Sequence, residues 1–245
     1  MSGPRPVVVV EEGGWPGAPA GADTAGAVAD RASEWAGAVA AHLGRPVPET
    51  VGVVLHPSPG VAWTQGTTVH LYQGTDGGVD LGQLPHELVH VVAGMSPSRF
   101  LSEGLAVHVA ARVGLGAPCW PCYRLAPELW LAHLRRRRAL PALEELIGEA
   151  QPLRLRDGGL GPEARRRAWE LYVVAGAFTG FLFETMERTR FWAGYSAGAA
   201  WRDGTELVVL RDRWLRWLPA GLDDAAAALL AASLDDSRRE LEAAR

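Results

Sequence analysis

The chain has 245 residues, 48% hydrophobic and 21% charged, with a formal net charge of −4, which supplies ample core material and excludes a wholly disordered chain. All 24 basic residues are arginine, and the runs Arg135 to Arg138 and Arg165 to Arg167 read as solvated helix faces; with a negative net charge and no reading motif, nucleic acid is not expected as a partner. No stretch approaches the roughly twenty apolar residues of a membrane span, and the four valines after Pro6 are too few for a signal-peptide core, so a cytoplasmic protein is expected.

In chain order, Pro6 to Glu11 is a β-branched run that predicts a strand, followed by a loop from Gly13 to Gly21 containing Pro16 and Pro19. A helix is predicted from about Ala22 to Leu43, because Ala25, Val28, Ala32, Trp35, Val39 and Leu43 recur three or four apart. Thr50 to Leu55 and Thr67 to Tyr72 are two more strand signals, and His70 reads as a strand-face residue. Asp76 and Asp80 follow in a Gly-rich turn that both residue types suit.

The next segment carries the chemistry. His86-Glu87-Leu88-Val89-His90 places two imidazoles four residues apart, on one helix face, where they can meet a single metal ion. Glu87 beside the first of them points around the helix, toward a water and not toward the metal. Pro85 must lie in the first turn of this helix, with Gly82 or Gln83 near the cap, since deeper it would break the helix. Gly94 then stops the helix with a left-handed conformation, and Ser96-Pro97 offers an N-cap and first-turn proline for the next. That second helix brings Glu103 one to two turns in, level with the histidines if the pair packs antiparallel. His86, His90 and Glu103 would complete the His2Glu set of a catalytic zinc site.

Beyond Gly114 the chain is predicted helical over Pro127 to Leu140, Pro141 to Glu149, Glu163 to Met186, Arg188 to Ala197, Thr205 to Leu218 and Leu222 to Ala244. Before them, Cys119-Trp120-Pro121-Cys122 follows a helix and a loop, a context that favours a structural loop over a redox centre, with a thiol-sensitive staple as the lesser alternative. Residues 1–245 read as a single α+β domain: an N-terminal lobe, 1–95, with a small mixed sheet and the motif helix, and a helical lobe, 96–245, carrying Glu103.

With these residues the chain resembles the gluzincin metallopeptidases, the thermolysin-like clan in which HExxH and a downstream glutamate bind zinc. It is most similar to their short bacterial members over Leu84 to Ala110, where Glu103-Gly104-Leu105-Ala106 matches the run after the third ligand. A weaker similarity covers Tyr172 to Phe178 and Leu207 to Leu218. The resemblance implies a zincin-like fold and a zinc-dependent peptidase, leaning to an endopeptidase. In it zinc, one per chain, polarises the scissile carbonyl and a water while Glu87 takes the proton. It also implies Tyr172 as a donor to the oxyanion, and Thr67 to Tyr72 as the sheet edge that would hold a peptide or protein substrate in extended form. His108, where these enzymes usually carry an aromatic residue, departs from the pattern. The alternative in a different functional class is a catalytically inactive gluzincin-like module that binds a peptide or protein.

Overall fold

The structure, a computed structural model, describes residues 7–12, 24–74, 78–113, 121–122, 125–137, 142–149 and 162–243. It is an α+β fold with a four-stranded mixed sheet and a majority of helix. The described residues divide into two compact units, one running to Gly94 and taking in Val113, the other containing Met95 to Arg112 and the rest of the helices.

In the first unit the strands are β1 (Val7–Glu12), β2 (Thr50–Pro59), β3 (Trp63–Gln65) and β4 (Thr68–Gln73), in the order β1-β2-β4-β3. β1 and β4 flank β2 in parallel, while β3 pairs antiparallel with β4. All three strand signals appear: Pro6 to Glu11 and Thr67 to Tyr72 as β1 and β4, each displaced by one residue, and Thr50 to Leu55 as β2, which continues to Pro59. The three-residue β3 has no signal of its own, because a strand this short has too few alternating positions to show a period. It also overturns the expectation that Thr67 to Tyr72 forms the edge: β4 lies inside the sheet, and β3 is the edge on that side.

Alternation along β2 and β4 buries Val51, Val53, Leu55, Val69 and Leu71. Helix α1 (Thr24–Leu43) joins β1 to β2 and buries Val28, Ala32, Trp35, Val39 and Leu43, five of the six positions of the predicted stripe. Gly44, at φ 65°, ends it, a conformation that a residue with a Cβ adopts only with strain. Helix α2 (Leu84–Ala93) packs on α1 and on β3 and β4, and all ten of its residues are buried.

The second unit comprises α3 (Arg99–Val113) as far as Arg112, α4 (Pro127–Arg137), α5 (Leu143–Glu149), α6 (Pro162–Thr185), α7 (Arg188–Ala197), α8 (Gly204–Trp217) and α9 (Asp224–Ala243). All six helices predicted after Gly114 are present, within two residues at every end except the C-terminus of the first, where 138–140 lie outside the described residues. Helix α6 is the centre of this unit: Leu171 to Phe183 is buried throughout, and α4, α7 and α8 pack on it. Phe178 touches the rings of Phe100, Phe181, Trp201 and Trp214, an aromatic core that large side chains dominate by buried area. Helix α3 crosses α6 closely at Gly104, where a Cβ would collide with the Ala175 backbone and the Thr179 hydroxyl. No helix among the described residues is long and apolar enough to cross a membrane.

Candidate metal centre

The start of α2 is built around one short turn. Asp80 accepts from the Gly82 N–H at 2.9 Å and from the Gln83 side chain at 3.1 Å, capping the 3-10 turn Leu81–Gln83 that leads into the helix. This is the turn role that its sequence context suggested; Asp76 lies outside the described residues. Gln83 is the N-cap residue of α2 and Pro85 falls in the first turn, where its missing N–H is one the helix would leave unpaired anyway. The two histidines therefore come in the first two turns.

At the other end, Gly94 has φ 75° and ψ 169°, positive in φ as expected but outside the left-handed helical region. The next helix starts two residues later than predicted. Ser98, not Ser96, takes the cap, its hydroxyl accepting from the Leu101 N–H at 3.4 Å and its carbonyl from the Ser102 N–H at 2.9 Å. Ser96 instead donates to the Tyr195 carbonyl at 2.6 Å, a contact ninety-nine residues away in sequence that local signals do not encode.

The donor set is brought together. Ligand atoms of His86, His90 and Glu103 all lie within 4.8 Å of one another, and all three residues are buried. Two ligands of a tetrahedral zinc at about 2.1 Å are roughly 3.4 Å apart, against separations of up to 4.8 Å in this group. The two imidazoles stand edge to face, centroids 5.1 Å apart at 78°. Two neutral nitrogens and a carboxylate form a donor set suited to zinc, and the group could hold a metal ion. Arg99, one turn before Glu103, places its Nε 3.6 Å from Oε1 and offsets part of the carboxylate charge.

Glu87 is 6% exposed. Its Oε2 accepts a 2.7 Å hydrogen bond from the hydroxyl of Thr64, which also sits 3.1 Å from the Glu87 carbonyl oxygen. Thr64 is the middle residue of the edge strand β3 and carried no signal in the sequence; a lone threonine twenty-three residues upstream of a glutamate announces nothing.

Tyr172 is buried in α6. His108 is fully buried in the second unit, its Nδ1 accepting from Arg112 at 3.1 Å and its Nε2 3.4 Å from Glu184 Oε1. Since a guanidinium only donates, the ring proton sits on Nε2. Arg112 also reaches Glu184 at 2.7 Å and Glu128 at 3.0 Å, so His108 belongs to an ion-pair network joining α3, α4 and α6. His70 lies on the sheet face opposite Val69 and Leu71; it stacks on Trp63 at 3.8 Å and bonds His56 at 3.0 Å. Cys119 lies outside the described residues. Cys122 is buried, and its carbonyl accepts from the Leu125 N–H and the Trp130 indole. Compared with protein-family models, curated proteins and solved structures, the chain matches none.

Proposed function

We propose that this chain is a zinc-dependent peptidase of gluzincin type, with His86, His90 and Glu103 as ligands and Glu87 as general base. The observation that carries the reading is the buried His-His-Glu group, with a second carboxylate, Glu87, directly beside its first histidine in sequence and held by a hydroxyl. A structural histidine pair would need neither a third donor within reach nor an adjacent oriented glutamate. The small mixed sheet before the motif helix is consistent with a zincin-like fold.

Zinc, when bound, supplies Lewis-acid polarisation of the scissile carbonyl and of the attacking water. Glu87 accepts the proton from that water and returns it to the leaving amine as the C–N bond breaks. Tyr172 is the donor proposed for the oxyanion. β3 is the proposed docking edge: a substrate peptide added to it as a further strand would run past Thr64, whose side chain reaches Glu87.

The test is metal content by inductively coupled plasma mass spectrometry on wild type and Glu103→Ala, followed by a peptide-library cleavage screen with wild type and Glu87→Gln. The expected result is near-stoichiometric zinc reduced by Glu103→Ala, and cleavage abolished by Glu87→Gln with zinc retained. Wild type that neither contains nor takes up zinc, or cleavage that persists in Glu87→Gln, overturns the assignment.

A further inference from the structure

Thr64 occupies a position that the proposed chemistry makes consequential, and the role assigned to it rests on the peptidase reading. Its hydroxyl has a single proton and faces two oxygens of the same residue, Glu87 Oε2 at 2.7 Å and the Glu87 carbonyl at 3.1 Å. The nearer, charged oxygen is the stronger acceptor. We infer that Thr64 is a positioning residue for the general base: it engages Oε2, fixes the rotamer of the carboxylate, and leaves Oε1 as the oxygen that exchanges protons with substrate.

The surroundings hold Thr64 as firmly as Thr64 holds Glu87. The antiparallel register pairs Thr64 with Val69, a buried residue, and directs both side chains to the face on which α2 packs. Just before β3, the Ala62 N–H donates to Gln83 Oε1 at 3.2 Å, and Gln83 is itself tied to Asp80. Because Gln83 occupies the N-cap position of α2, its side chain ties the entry to β3 to the residue from which the motif helix starts, without itself bonding a helix N–H. Thr64 and Glu87 are thus fixed from both ends, which a reactive group needs if its geometry is to be set before substrate arrives.

The chemical consequence concerns where the proton resides. In the forward step a water O–H proton moves to Oε1 while the water oxygen bonds to the carbonyl carbon. Oε2 remains an acceptor for Thr64 throughout, so the proton stays on Oε1 and is delivered to the amine nitrogen when the C–N bond breaks. Without the hydroxyl, the carboxylate can rotate and the proton is shared between both oxygens, only one of which faces the reaction. Valine puts a methyl in place of the hydroxyl and alanine removes the hydroxyl together with the γ-methyl; both leave the backbone pairing groups and the metal ligands in place.

The test uses zinc-loaded Thr64→Val, Thr64→Ala and Thr64→Ser, each assayed on a peptide cleaved by wild type and each crystallised. A misplacement of about 1 Å in a reacting group lowers turnover by up to about a hundredfold, so Val and Ala are expected to reduce kcat by tenfold or more with little change in KM or zinc content. Ser is expected to restore most of the rate. In the crystals, the Glu87 carboxylate should spread over more than one rotamer in Val or Ala and hold one in Ser. A kcat unchanged in Val and Ala, or a Glu87 carboxylate that stays as in wild type, overturns the inference. The rotamer is read without turnover, so an inactive wild type counts against the peptidase reading alone.

Discussion

Replacing Gly104 by alanine tests how the helix bearing Glu103 is seated. The new Cβ would run into the carbonyl carbon and oxygen of Ala175 and the hydroxyl of Thr179. Backbone atoms of a buried helix cannot rotate aside, so α3 and α6 must separate. Overpacking of this kind costs about 1–3 kcal/mol, and the upper part of that range applies where the obstacle is main chain. Alanine returns roughly 0.5–1 kcal/mol through its better helix propensity. The net expectation is a destabilisation of about 2 kcal/mol, which for a chain of this length lowers the thermal midpoint by about 4–8 °C. Gly37 in α1 is the internal control: it is exposed, and a Cβ there meets nothing within 4 Å. Gly37→Ala is expected to stabilise by up to about 1 kcal/mol, so one chemical change yields opposite signs at the two sites. Differential scanning calorimetry of both variants beside wild type is the assay. Since Glu103 precedes Gly104, competition with a fluorescent chelator should also show weaker zinc retention in Gly104→Ala. A Gly104→Ala protein as stable as wild type would refute the close-crossing argument.

Other outcomes depend on named contacts. Glu206 is lowered from an ordinary 4.5 to about 2, first by the Arg202 backbone N–H at 2.6 Å and then by the Arg190 and Arg202 side chains. A depressed carboxylate stabilises the fold above its unfolded value and loses that contribution as pH falls through its folded value. Glu206→Gln should therefore lower the thermal midpoint near neutral pH, and the gap to wild type should narrow below about pH 4.5; a gap independent of pH would remove the charge from the explanation. Tyr172→Phe should reduce kcat more than it alters KM in a steady-state assay, and an unchanged rate would take Tyr172 out of the mechanism. Arg112→Leu leaves the buried His108 and the part-exposed Glu128 and Glu184 with a missing donor, so urea unfolding should show a loss of about 1–3 kcal/mol; a loss below about 0.5 kcal/mol would mean the network is solvated.

The helices and the three longer strands were legible in the sequence because each is a local pattern. The stripe through Val28, Ala32, Trp35 and Val39 repeats at the helix period, so its burial on one side follows from spacing alone, and Thr50 to Leu55 is a β-branched run bounded by Gly and Pro whose residues the strand then buries alternately. The pairing of His86 with His90, and the placement of Pro85 in the first turn, are likewise consequences of helix geometry within ten residues. Glu103 was a candidate from spacing, but its meeting with the histidines is a matter of three-dimensional position. The tertiary structure alone decided the rest. It put the three-residue β3 outside β4 and Thr64 against Glu87, turned Ser96 toward Tyr195 and away from the helix cap, and enclosed His108 among Arg112 and Glu184. Each of these depends on a hydrogen bond, a short strand or an ion pair whose partner lies on another element, and a periodicity read along one segment holds no information about what that segment will face.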